Sequence, residues 1–437
     1  MKRSKVILLG TICVLILAVS WITAITAPTD AEKQERLLAQ ADAFVQDEIY
    51  IRAVPLLEEA AGYSDDYTLE AEEALKNVYR HLLEQSEFAQ KYIALLEKQM
   101  ERPDANAECY EEAAEYYFDR SQAAKAFSVL RSGVSKTESK ELEAFYESER
   151  YQFRLHNECY DDVTLTCNGA IQVKKGNLWG LADATGELVV PCEYNKVSTY
   201  SSGEAIAKKG NIVSGIDGDN NRVALSHEKI TDFRNYNENR VALKMKDGWM
   251  ISDGNFNTGS ISFEDLATFS DGGAAAKSNG KWGVVNTSGG EWLIPAEYDT
   301  VIQDELGRAY KNETVFVKQG SKVNLLVKGK VVGETYEDAY PFADGWAAVK
   351  KHGKWGFIDE TGDTQIDFKF DDARSFGQHL AAVELDGKWG YISKYGEMVI
   401  PNVYLDARNF YYGSAPVKTE TGWRFITLVE YEDGGDL

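Results

Sequence analysis

Histidine is scarce in this sequence: there are five in 437 residues, His81, His156, His227, His352 and His379, and no pair stands at metal-ligand spacing. Of the five cysteines, Cys13 lies in an apolar run, and Cys109, Cys159, Cys167 and Cys192 form no C-x-x-C pair. A zinc site is therefore not expected. No glycine-rich phosphate loop, G-x-S-x-G elbow or H-E-x-x-H helix occurs, so the motifs that announce nucleotide, acyl-transfer or metalloprotease chemistry are missing. The expectation is a chain with no catalytic residues, no cofactor and no metal. Asp217-Gly218-Asp219-Asn220 has the look of a calcium turn, but the twelve-residue loop and its terminal Glu are not there, and an Asx turn is the simpler reading.

Positive charge is also in short supply. Lys and Arg total 47 against 70 Asp and Glu, a net charge of -23. Nucleic-acid affinity comes from neutralising phosphates, so that class of partner is not expected; the acidic surface favours solubility and allows a basic partner, a solvated surface with no specific role being the plainer reading. Proline is sparse (8) where glycine is plentiful (36), which fits many tight turns and no proline-rich linker.

One long uncharged run is present, Val6 to Ile25. About 20 residues at 1.5 Å each span the roughly 30 Å hydrocarbon layer. Lys2, Arg3 and Lys5 precede it and Asp30 and Glu32 follow, which puts the N-terminus in the cytoplasm and the rest of the chain outside. The rival is a cleaved signal peptide, whose best cut, after Ala27, leaves Ile25 at the -3 position and Pro28 at +1. A lipoprotein reading needs a small residue before Cys13, and Ile12 stands there. The expected localisation is a single-pass cell-membrane protein, with residues 1–29 as cytoplasmic stub and transmembrane anchor.

Residues 30–150 are rich in Ala, Glu, Leu and Gln and carry apolar residues at helical spacing, such as Leu37, Leu38, Ala41, Phe44 and Val45. Breaks are expected at Gly62 to Asp66, Pro103 and Gly133. Ala53, Ala89 and Ala126 recur at 36 and 37 residues, each followed four positions on by Leu57, Ile93 or Leu130. Small residues let antiparallel helices approach and larger ones fill the gap. This stretch resembles the tetratricopeptide repeats, with Ala41 and Phe44, and Ala114 and Tyr117, marking first helices. The middle unit departs, having Asn77 and Arg80 at those positions, and a last helix near Glu138 to Arg150 caps the stack. The resemblance implies an interaction scaffold; a rigid spacer is the plainer alternative.

From residue 151 to 437 the period changes. Trp179, Trp249, Trp282, Trp355, Trp389 and Trp423 are spaced by 70, 33, 73, 34 and 34 residues. The two long gaps are double periods, with Lys208–Asp217 and Lys318–Val327 at the missing positions, so about eight units of three short strands are expected. Gly280-Lys281-Trp282-Gly283, Gly353-Lys354-Trp355-Gly356, Gly387-Lys388-Trp389-Gly390 and the ending Ile294-Pro295-Ala296-Glu297-Tyr298-Asp299 resemble the WG β-repeat family. The resemblance implies an all-β array stacked unit on unit, either a propeller-like ring or an open superhelix, with no enzymatic activity. The repeat indoles are expected in the core. Trp292, Trp346, Tyr411 and Tyr412, outside the repeat register, are the candidate binding aromatics, and Cys159 and Cys167 are close enough in sequence to pair.

The expected protein is thus multidomain: anchor, tetratricopeptide-like helices, and WG β-repeats. Its expected function is that of a membrane-anchored, extracytoplasmic scaffold for a protein partner, with cell-wall glycan binding through surface aromatics as the alternative.

Overall fold

The computed structural model describes residues 28–64, 67–223, 230–253 and 255–431. The anchor expected over Val6 to Ile25 lies outside them. Among the described residues no helix is long and apolar enough to cross a membrane. The chain divides into two compact units, Met1–Glu147 and Ser148–Leu437.

Among the described residues seven helices precede the strands: α1 (Asp30–Gln46), α2 (Tyr50–Ala61), α3 (Thr68–Arg80), α4 (Ser86–Met100), α5 (Ala107–Asp119), α6 (Ala123–Thr137) and α7 (Lys140–Glu149). A reciprocal capping box of Thr29 and Glu32 starts α1. Ala41, Ala53, Ala89, Ala114 and Ala126 are all buried, as the small-residue period requires, together with Leu57 and Leu130. Ile93 is only half-buried; Tyr92 and Leu96 take the core positions on α4 instead. Gly133 is not a break but a buried residue within α6. A Cβ there would come within 2.6 Å of Tyr110 and Leu142, so glycine is what allows this close approach. The odd middle unit is explained by charge. Glu72 is fully buried and held by Lys98 and Arg102, while Lys76 and Arg80 converge on Glu112. Polar residues occupy the place of the aromatic because they form a satisfied ionic network.

The second unit is a ring of eight four-stranded antiparallel sheets, an eight-bladed β-propeller. In numerical order the blades cover 162–194, 196–223, 232–263, 265–298, 300–336, 338–370, 372–404 and 406–428. Blade seven is representative. A two-residue inner strand, Asp372–Ala373, is followed by Leu380–Leu385, Lys388–Ser393 and the outer Met398–Tyr404. Alternation sets the strands, and the Asp386-Gly387 turn, with both residues at positive φ, sets the hairpin. His352 has the matching φ of 54° and is a turn residue.

Each blade has four strands, one more than the sequence period suggested. The Tyr-Asp element does not close a unit. Tyr404 ends the outer strand of blade seven, and Asp406 begins the inner strand of blade eight. The open superhelix is ruled out by the eighth blade. Its outer strand is Phe153–Leu155, from the start of the unit, paired with Gly422–Leu428 at its end. This closure leaves no free sheet edge between first and last blades.

The glycine after tryptophan is a packing requirement. At Gly180, Gly283, Gly356 and Gly390 a Cβ would come within 2.3–2.7 Å of backbone on the outer strand, at a register shift in the ladder. Blades three and eight have Met250 and Arg424 there, and in blade eight the fourth strand is the N-terminal segment, whose His156 carbonyl accepts from Arg424 Nε. We expect Gly390→Ala to cost about 1–3 kcal/mol, the usual range for an overpacked site. Urea unfolding of the wild-type and variant chains measures it.

Cys109, Cys159, Cys167 and Cys192 are all free thiols. Cys167 is buried beside Leu165 and Leu306, whereas Cys159 Sγ donates to the Thr421 carbonyl, so the two are not paired.

Candidate binding chamber of the propeller

The ring is locked blade to blade by side chains in its turns. Ser201 Oγ accepts from the Asn239 amide at 3.0 Å, Glu238 from those of Asp271 and Gly272, Asp344 from that of His379 at 2.7 Å, and Gln378 from that of Gly413 at 2.6 Å. A second set of carboxylates folds the turns themselves. Asp217 Oδ1 accepts the amides of Asp219 and Asn221 at 3.0 and 2.8 Å; Asp253 and Asp359 do the same two and four residues on. The segment at Asp217 is therefore an Asx turn. Among the described residues no acidic or His/Cys group is arranged to hold a metal.

These turn hydrogen bonds depress carboxyl pKa values. The backbone amide of Asn221 does most to lower Asp217, that of Asn257 most to lower Asp253, and the Lys354 ammonium most to lower Asp371. A carboxyl with a folded pKa below its unfolded value near 3.8 contributes its full stability above that value and loses it as pH falls through the folded value. The expected result is a melting temperature insensitive to these groups from pH 7 to about 5 and declining below pH 4. Asp217→Asn with Asp253→Asn should flatten that decline in a series of thermal melts.

The central channel is not open. In seven blades, eight residues separate the first residue of the inner strand from the bridge that opens the next strand, as from Asp372 to Leu380. In blade five the interval is fourteen, from Thr300 to Thr314. The six extra residues form a plug. It is the same Asx turn used at the ring's rim: Asp304 Oδ1 accepts the amides of Leu306 and Arg308, both at 2.9 Å. The Leu306 carbonyl accepts from Asn235 Nδ2 (3.0 Å) and Thr268 Oγ1 (2.5 Å), on blades three and four. The Leu306 side chain packs on Leu165 and Cys167 of blade one. Glu305 lies 3.3 Å from Arg374 and 3.0 Å from Arg408, on blades seven and eight. Burial pushes the Glu305 carboxyl up, against the pull of both guanidinium groups.

The plug borders two chambers. One, of about 300 Å³, is lined by Arg308, Tyr340, Arg374 and Asn409 among others. The other, of about 640 Å³, has the plug residues Gln303 to Gly307 as one wall and the exposed Asn195 at its mouth. Trp179 and Trp282 line this second chamber.

That placement corrects the expectation for the repeat indoles. Trp249, Trp355, Trp389 and Trp423 are buried, at 2–5% exposure. Trp179 and Trp282 are only half-buried. The cause lies fifteen residues upstream, at the end of the inner strand. Arg234 sits 4.4 Å over Trp249, Arg374 4.7 Å over Trp389, and Arg408 4.3 Å over Trp423, while Tyr340 covers Trp355 at 5.5 Å. In blades one and four the same position is Thr164 and Ala267, too short to reach across an indole. The channel charges are committed to pairs: Arg234 with Asp265 at 2.7 Å, Lys196 with Asp232 at 2.7 Å, Arg308 with Asp304 at 2.7 Å.

The aromatics singled out by sequence are scattered. Trp292 of blade four, 39% exposed, packs edge-on against Phe263 of blade three. Trp346 of blade six rests edge-on against Phe376 of blade seven. Tyr411 and Tyr412 pack against each other in blade eight, and burial raises the Tyr411 phenol to about 12. They converge on no common site. The sequence cue to the chamber was the small residue fifteen before two of the six tryptophans.

The family described as WG containing repeat matches residues 179–211, 282–322, 328–355, 355–389 and 389–423, and these segments are similar to its repeats. No curated protein matches this sequence. Among solved structures, the chain is similar to the WD40 domain of Pan2 from Neurospora crassa, with 9% identity and a TM-score of 0.34, covering 61% of this chain and 89% of that one. It is also similar to the extracellular domain of the putative one component system BT4673 from B. thetaiotaomicron, with 8% identity and a TM-score of 0.35, covering 62% of this chain and 40% of that one.

Proposed function

We propose that this WG-repeat propeller is the binding module of a non-enzymatic scaffold that engages a protein partner, held at the outer face of a cell membrane by the segment Val6 to Ile25. The observation that carries the reading is the second channel chamber, in which two indoles of the repeat lie half-exposed. Half-exposed tryptophan beside polar groups is the composition of a binding site centre. The ionised groups around it are engaged in structural pairs, so they position surfaces and are not poised for proton transfer. The helical unit, read as tetratricopeptide-like from its buried alanine period, supplies a second surface for the same kind of partner.

The test is photo-crosslinking in intact cells with the full-length chain carrying benzoylphenylalanine in place of the exposed Asn195 at the chamber mouth. One polypeptide captured reproducibly, and lost when free partner competes, supports the reading. Capture of wall polysaccharide alone turns it into the glycan-binding alternative and removes the scaffold. Protease added to the same cells should digest the chain beyond residue 30; full protection contradicts the orientation.

A further inference from the structure

The molecule itself shows what its repeat indoles receive. Three blades place a guanidinium over the tryptophan, at 4.3–4.7 Å from the ring centre. In two of them the same arginine also ion-pairs with an aspartate that opens the next blade, Arg234 with Asp265 (2.7 Å) and Arg374 with Asp406 (2.8 Å). Its Nε–H donates to the carbonyl one residue beyond that aspartate, Leu266 at 3.2 Å and Ala407 at 2.7 Å. In blade four Ala267 replaces the arginine, Trp282 faces the chamber, and Thr300 replaces the aspartate. Among the described residues no cation lies over Trp282. Blade one is similar, with Thr164 in place of the arginine, although Lys174 approaches Trp179 at 5.5 Å.

We propose that the chamber receives arginine side chains of a basic polypeptide segment, with Trp282 as the main guanidinium platform and Trp179 as the second. The inference rests on the protein-binding reading and names the chemistry of the partner. A guanidinium is planar, weakly hydrated and attracted to an indole face, which suits it to a site of this kind better than an ammonium. The chain's net charge of -23 draws basic segments towards it over longer range. The plug closes the chamber at one end, so the segment enters side chain first and does not thread the ring.

Calorimetric titration of the full-length protein with triarginine, against trilysine and N-acetylglucosamine trimer, tests this. Saturable binding of triarginine is expected, at least threefold tighter than trilysine. Trp282→Leu should weaken it tenfold or more. Because that substitution could disturb the fold, a second variant rebuilds the solution seen in blade three: Ala267→Arg with Thr300→Asp places the protein's own guanidinium on Trp282. It should abolish triarginine binding while keeping the wild-type melting temperature or raising it. Undiminished binding by that variant overturns the proposal, as does the absence of saturable triarginine binding. Sugar bound at Trp282 in place of triarginine does so too. A crosslinked polypeptide partner whose arginines can all be replaced without loss would sink this inference and leave the scaffold reading standing.

Discussion

Replacing Arg374 with alanine is expected to destabilise the propeller by about 2–3 kcal/mol, the range for losing hydrogen bonds to a charged group, since its carboxylate partners are only partly buried. Arg374 is the most connected side chain in the channel. It pairs with Asp406 at 2.8 Å and Glu305 at 3.3 Å, donates to the Ala407 carbonyl at 2.7 Å and to the Tyr340 hydroxyl at 3.1 Å, and covers Trp389. Alanine leaves Glu305 with Arg408 alone, whose Nε is 3.0 Å away but not aligned to hydrogen-bond. A partly desolvated carboxylate left with one misaligned cation is destabilising. The second substitution Glu305→Gln should therefore recover part of the loss. Urea unfolding of the two single variants and the double variant reads the coupling directly, and strictly additive losses would mean that plug and ring do not share this network.

The second large effect concerns closure. Removing residues 153–157 deletes the outer strand of blade eight, which exposes the partner edge from Ile426 to Leu428. The lost contacts include half-buried Phe153 and Leu155, the His156 amide bond to the Phe425 carbonyl at 2.8 Å, and the acceptor of Arg424. Partial burial of two large apolar side chains and several ladder bonds, at about 1 kcal/mol each, amount to roughly 3–6 kcal/mol. The unpaired edge should also self-associate. Sedimentation and thermal melting of the truncated chain are expected to show a lowered transition and a larger species. A truncated chain that stays monomeric at wild-type stability would mean that the ring is not closed by this strand.

Much of this was legible in the sequence because a stacked repeat writes its core periodically. Tryptophan every 34 residues, with aliphatic residues in its place at two positions, indicates eight units, and eight blades are present. Blade boundaries were less legible. Tyr404 and Asp406 are neighbours in the chain but belong to different sheets, and the two-residue inner strands carry no alternation of their own. The plug was concealed by arithmetic. The 73-residue gap from Trp282 to Trp355 holds a degenerate repeat and six further residues, and nothing in Asp304 to Arg308 differs from an ordinary rim turn. The blade-to-blade latches link residues 33 to 38 apart through backbone amides, which have no sequence signature.

The two half-exposed indoles show the limit of motif reading most clearly. Trp282 lies in as complete a G-K-W-G motif as Trp389 does, yet their environments differ because of Ala267 and Arg374, each fifteen residues earlier. Within a repeat, motif identity fixes where a side chain points, and the facing residue fixes what it meets.

Hydroxyl-radical footprinting of the native protein, read tryptophan by tryptophan by mass spectrometry, tests that claim most directly. Trp179 and Trp282 should oxidise several-fold faster than Trp249, Trp355, Trp389 and Trp423. Equal protection of all six, or faster oxidation of the arginine-covered four, would contradict it.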